Sequence, residues 1–169
     1  MKCCSGLALL GLLTTVFPLR ASAFSPQEWV QPLTHCQDFQ GRCLAIDISD
    51  RTVTLFQKGK EVNRYPVAVG KTGWETPLGN HYIFEMGRDV DWIDLFTGEL
   101  SEHNPMLGSW IGYARFEDDI RVGFHPTPNR NSVGQAASHG CNRMTVEDFD
   151  QLYQFIEEAK SVVPVLVRT

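Results

Sequence analysis

Alternating apolar and polar positions organise the chain from residue 43 onward. Leu44, Ile46 and Ile48 alternate with Ala45 and Asp47, the period-two signature of a half-buried strand. The β-branched and apolar run Thr52 to Gln57 predicts a second strand, with Lys58-Gly59-Lys60 as the turn after it. Tyr65, Val67 and Val69 alternate again and end at Gly70, so the domain opens as an antiparallel hairpin or meander. Thr76-Pro77-Leu78-Gly79 reads as a turn leading into one strand over His81 to Met86. Ile120, Val122 and Phe124 alternate with Arg121 and Gly123, which places His125 at a strand end with its side chain opposite Phe124. Pro126 follows and ends that ladder, having no N–H to donate.

The period changes near the C-terminus. Thr145 is a good N-cap with Asp148 three residues on, and Phe149, Leu152, Tyr153 and Ile156 mark one apolar helix face. Val162 to Val167 is a short last strand interrupted by Pro164, hence predicted at a sheet edge. The fold class is therefore mainly β with one or two helices.

Length and composition add limits rather than identity. The 169 residues suffice for one domain with a real core, and no internal repeat or long linker divides them. Residues 1–23 are expected to be a secretory signal peptide: Lys2 is a short basic start, Leu7 to Val16 a mostly apolar run, and Ala21-Ser22-Ala23 a small-residue cleavage site. The alternatives are a buried helix or a membrane anchor, but Pro18 and Arg20 leave the run too short to span a bilayer. No later segment reads as transmembrane. Export to the periplasm or cell envelope follows from that reading. Residues 24–42 then form an irregular N-terminal extension.

Removing residues 1–23 takes the basic residues from 15 to 13 against 20 acids, a net charge of −7. That balance argues against nucleic acid or an anionic membrane as the main partner. Three cysteines remain. In an oxidising compartment Cys36 and Cys43 could close a small loop, with two unpaired thiols as the alternative. Either way Cys141 is left over.

Cys141 lies in the most unusual stretch of the chain. Ser138-His139-Gly140-Cys141-Asn142-Arg143 brings a thiol, an imidazole, a glycine and a guanidinium into six residues before the helix start. A thiol becomes a good nucleophile as thiolate, and an imidazole can take its proton. His125 is the better base candidate than His139, because a strand end holds it rigidly while a loop folds back to present the thiol. Gly140 lets backbone N–H groups converge on a developing oxyanion, and Arg143 offers a forked donor for a substrate carboxylate. Taken singly, each residue has a bland reading: a buried small hydrophobe, a satisfied histidine, a solvated arginine. Together in one hexapeptide they count against those bland readings.

This segment resembles the active-site box of the L,D-transpeptidase catalytic domain (the YkuD family), an upstream His followed by Ser/Thr-His-Gly-Cys. Ser132-Val133-Gly134, Thr76-Pro77-Leu78-Gly79 and Asn104-Pro105-Met106-Leu107-Gly108 are similar to further elements of that family, in its order. The resemblance covers residues 43–168. It implies a β-sandwich-like catalytic fold and acyl-enzyme chemistry on peptidoglycan stem peptides in cell wall biogenesis. Carried over, Cys141 is the nucleophile and His125 the proton acceptor and donor. Ser138, His139, Gly140, Asn142 and Arg143 line the oxyanion and substrate pocket. No metal or organic cofactor is implied. The chain departs from the pattern at Pro126, which retains the carbonyl that orients the imidazole, and at Asn142, where the family has an apolar residue.

Three alternatives stand beside this reading. Water as acceptor would make a carboxypeptidase, or an amidase releasing an envelope protein from peptidoglycan. His125, His139 and Cys141 could instead hold zinc, although paired ligand spacing is absent. A catalytically dead envelope-binding domain is the third. The acids of Gly87 to Asn104 lack the spacing of a calcium loop and read as a surface loop beside the site.

Overall fold

The computed structural model describes residues 33–94, 97–100, 104–116 and 120–169. The expected signal peptide lies outside them, as does the extension before residue 33.

The opening meander forms from the strands the alternation predicts: β1 (Arg42–Asp47), β2 (Thr52–Gln57) and β3 (Lys60–Pro66). Lys58 and Gly59 turn the hairpin with φ of 51° and 75°. Gly59 is required there twice over, because a Cβ would also fall 2.3 Å from the Gln37 carbonyl oxygen. The next strands are short: β4 (Val69–Gly70), β5 (Gly79–Tyr82) and β6 (Glu85–Arg88). The single strand expected over His81 to Met86 is thus two. The chain breaks at Ile83 and Phe84 because β5 pairs with the last strand while β6 pairs with the next one, in a different sheet.

Strands β7 (Ser109–Arg115), β8 (Arg121–Pro126), β9 (Ala136–Ser138) and β10 (Asn142–Met144) precede helix α1 (Val146–Glu157) and strand β11 (Pro164–Arg168). Thr145 caps the helix by accepting a bond from the Asp148 amide, and Phe149, Leu152 and Ile156 are its buried face.

Two main sheets result, ordered β3-β2-β1-β11-β5 and β10-β8-β7-β6, with a separate β4-β9 pair. Among the described residues the protein is mostly β with one α-helix. Strand β11 is central, not an edge. It runs parallel to β1 (Leu44 beside Val165) and antiparallel to β5. Pro164 is its first residue rather than an interruption, a position where a missing N–H is tolerated inside a sheet.

Leu44, Ile46, Val53 and Leu55 of the first sheet meet Ile111, Tyr113, Val122 and Phe124 of the second, with the helix face completing one core. Each such fully buried aliphatic side chain contributes about 1.5–3 kcal/mol. An exposed pair such as Arg64–Glu61 contributes roughly 0–1 kcal/mol, so burial and not surface charge holds the layers together. On the other face of β1 and β11, Cys43, Leu166 and Phe56 form a second cluster with Cys36. Cys36 and Cys43 are disulfide-bonded there, their Cα atoms 5.5 Å apart. Arg88 ties β6 to the helix, pairing with Asp150 at 2.8 Å and lying 4.1 Å from the Tyr153 ring.

Candidate active site

Parallel pairing of β10 with β8 assembles the site. Asn142 sits beside Phe124 and Arg143 beside His125, so Cys141, one residue earlier, falls beside Gly123. Side chains two apart on a strand share a face. His125, Arg143 and the position of Cys141 therefore lie on one face of the sheet, with the thiol and imidazole in diagonal relation. A weak contact of Cys141 Sγ with the Arg121 carbonyl at 4.0 Å agrees with that placement.

His125 is buried, and its Nδ1 lies 2.9 Å from the carbonyl oxygen of Pro126. A carbonyl only accepts, so Nδ1 carries the proton and Nε2 keeps its lone pair. The Pro126 carbonyl thus holds the imidazole through Nδ1. The Trp110 ring stacks beside the imidazole at 6.4 Å between centroids. Burial, helped by the Arg143 charge, lowers the His125 pKa to about 4 against the pull of the Pro126 bond. At neutral pH the ring is an uncharged base.

Cys141 is half-buried and is the free thiol among the described cysteines. Enough protein surrounds its sulfur that desolvation raises its pKa, while a hydrogen bond from the Gly123 backbone and the Arg143 charge draw it down. The resting pair is therefore thiol and neutral imidazole. Proton transfer from one to the other has to accompany attack on an electrophile.

The preceding turn is built on glycine. Gly140 has φ of 106°, and a Cβ there would lie 2.9 Å from the Phe116 ring. Its N–H donates to Ser138 Oγ at 3.1 Å, and its carbonyl accepts from Thr76 Oγ1 at 2.8 Å. Ser138 is fully buried, and its carbonyl takes the Lys71 amide. Ser138 and the Gly140 amide are thus committed to holding the turn and do not face a substrate.

His139 meets the edge of Trp74, with ring centroids 4.9 Å apart. Partial desolvation and the charges of Lys71 and Arg143 lower its pKa. His139 and Arg143 are both partly open.

Asn142 is the clear correction. Its side chain turns into the core, fully buried, accepting from Tyr113 Oη at 2.6 Å and donating to the Ala68 carbonyl at 3.1 Å. Both polar ends are used inside the protein, so this side chain is no substrate contact. An isolated look at the hexapeptide could not find its partners, which stand 29 and 74 residues away. Trp74, Trp110 and Tyr113 were also missed. The signal for Trp110 and Tyr113 was the near-continuous apolar run Trp110 to Ala114, which marks a strand buried on both faces but lacks alternation; Trp74 had no such signal. Among the described residues, no group of three or more His, Cys, Asp or Glu is placed to hold a metal ion. No helix among them is long and apolar enough to cross a membrane.

Fold and site together define a mostly β domain with a thiol and an imidazole on one face of its second sheet. The family model described as the L,D-transpeptidase catalytic domain, YkuD, matches residues 41–167, and the chain belongs to that family. It is similar to YkuD of Bacillus subtilis (strain 168), classed as an L,D-transpeptidase, with 29% identity over 119 residues, 70% of this chain and 63% of that one. The chain spans less than two thirds of the length of the curated relatives it matches. In structure it is similar to an L,D-transpeptidase from Mycobacterium smegmatis (TM-score 0.59, 20% identity, 76% of this chain and 58% of that one). It is also similar to the catalytic domain of the E. faecium L,D-transpeptidase (TM-score 0.58, 20% identity, 77% and 98%). At these identities the structural likenesses establish the fold.

Proposed function

We propose that this chain is an exported L,D-transpeptidase of the periplasm or cell envelope, acting on peptidoglycan stem peptides through Cys141. The observation that carries the reading is the shared sheet face of Cys141 and His125, with the imidazole tethered through Nδ1 so that its Nε2 can accept a proton. Cys141 Sγ attacks the carbonyl of the diamino acid that precedes D-Ala, while His125 takes the thiol proton. The carbon–nitrogen bond to D-Ala breaks, and His125 returns the proton to the leaving amine. An acceptor amine then attacks the thioester, forms the new amide and frees the thiol. His139 and Arg143 flank the thiol, and Arg143 is suited to a substrate carboxylate.

The test is to incubate the purified chain with disaccharide tetrapeptides and follow intact protein and products by mass spectrometry. A thioester on the wild type, absent from Cys141→Ala, together with cross-linked dimers is the expected result. Tripeptide without dimers would identify water as the acceptor and a carboxypeptidase. A folded wild-type chain giving no adduct with any stem peptide would overturn the proposal.

A further inference from the structure

Thr76 is fully buried in the Thr-Pro-Leu-Gly turn, far from Cys141 in sequence. Its hydroxyl has two partners. It accepts from the Gly70 amide at 2.9 Å and meets the Gly140 carbonyl at 2.8 Å. The amide can only donate and the carbonyl can only accept, so the hydroxyl hydrogen is committed to Gly140.

That bond sets the orientation of the peptide joining Gly140 to Cys141. A trans peptide is planar, with its C=O and N–H pointing in opposite directions, and the described chain has no cis bond. With the Gly140 carbonyl drawn down to buried Thr76, the Cys141 N–H points away from that buried floor. The neighbouring amide cannot substitute, since the Gly140 N–H is already bound to Ser138 Oγ. Gly140, having no Cβ and a φ of 106°, is also the residue whose adjoining peptide plane is least fixed by its own sterics. An external tether is needed.

We infer that Thr76 is a positioning residue that aims the Cys141 amide at the oxyanion formed during acyl transfer. This inference rests on the acyl-enzyme reading above. The tetrahedral intermediate carries its negative charge on the former carbonyl oxygen, and a pre-aimed N–H stabilises it without reorganisation. Thr76 touches no substrate and takes no proton; its effect passes through one peptide plane.

The experiment separates two reactions of the same sulfur. Alkylation of Cys141 by iodoacetamide needs the thiol and its base but forms no oxyanion, whereas acylation by a disaccharide tetrapeptide forms one. Thr76→Val is expected to lower the acylation rate roughly 10- to 100-fold, below the full loss of an oxyanion donor. KM and the alkylation rate should stay within about twofold, as the thiol–imidazole pair is untouched. Thr76→Ser, which keeps the hydroxyl, should acylate within about threefold of wild type on the same argument. If Thr76→Val does not fold, Thr76→Ala removes the same hydroxyl without a replacing methyl and is read by the same two rates. Equal acylation by wild type and the hydroxyl-less variant, a parallel fall of both rates, or a Thr76→Ser as slow as Thr76→Val would each overturn the inference. A wild type that forms no thioester would overturn the functional proposal with it; a reactive wild type beside an unaffected variant overturns this inference alone.

Discussion

The turn bearing Cys141 and the loop over residues 89–108 lie at opposite extremes of how a segment can be held. The first is bound to distant parts of the chain. Ser138 takes Lys71, Gly140 takes Thr76, and Asn142 joins Tyr113 to Ala68. Among the described residues of the second, local bonds recur. Asp94 accepts from Gly98 and its side chain from Thr97, while Ile93 bridges Leu100. Its links at the base are Val90 to Gly108 and Asn104 to the Val90 carbonyl. Two of its apolar side chains are open as well: Ile93 is 60% exposed and Leu100 68%. A buried, long-range network specifies geometry and resists change. A self-contained surface loop can vary without disturbing the core. Under the proposed function, chemistry and acceptor choice fall to different mechanical regimes.

The largest expected effect comes from the base. His125→Gln keeps a polar side chain but removes proton acceptance, and should lower acyl transfer roughly 10²- to 10⁴-fold in steady-state assays. The wild-type rate should hold well below the ordinary histidine pKa and fail only toward about pH 4. Stability changes in the same window. The folded value lies below the unfolded one, so the unfolded chain binds the proton first. Stability is full above about pH 6.5 and is lost as the pH falls toward 4, on the order of 3 kcal/mol in all. Denaturant melts across that range would show it, and a pH-independent midpoint in that window would contradict it.

A smaller loss is expected at Asn142→Leu, the family-like substitution. It strands the Tyr113 hydroxyl and the Ala68 carbonyl without partners, at about 1–3 kcal/mol. Adding Tyr113→Phe should recover part of that in urea unfolding, since both polar partners at one contact are then gone. A double variant no more stable than the single one would show that packing rather than hydrogen bonding governs the site. The smallest effect belongs to the loop. Ile93→Ser with Leu100→Ser should leave stability within about 0.5 kcal/mol. Under the proposed function it should alter the ratio of cross-linked to hydrolysed product. An unchanged ratio would remove the loop from acceptor choice.

Much of the framework could be read from local pattern. Leu44 and Ile46 announced β1 because their neighbours face the opposite side of the sheet, and Thr145 announced the helix because capping is a three-residue affair. What local pattern could not supply was pairing. Pro164 suggests an edge when viewed alone, yet its strand lies between β1 and β5. His81 to Met86 alternates too little to reveal where one sheet ends and another begins. The same division runs through the site. Cys141 and His125 stood out by residue type, whereas Asn142 looked like a pocket residue until its core partners were placed. Thr76 was visible as a turn residue only.

The parallel junction of β1 with β11 has a consequence for the order of events in folding. Leu44 finds its neighbour Val165 only after nearly the whole domain lies between them. The middle of the larger sheet therefore closes last along the chain, at a high loop-closure cost, which favours slow folding over a rapid local collapse. Until then β1 carries an open edge on the side β11 will fill, a surface prone to mispairing with other chains. A chain losing its last strand would lose the sheet's interior rather than its margin.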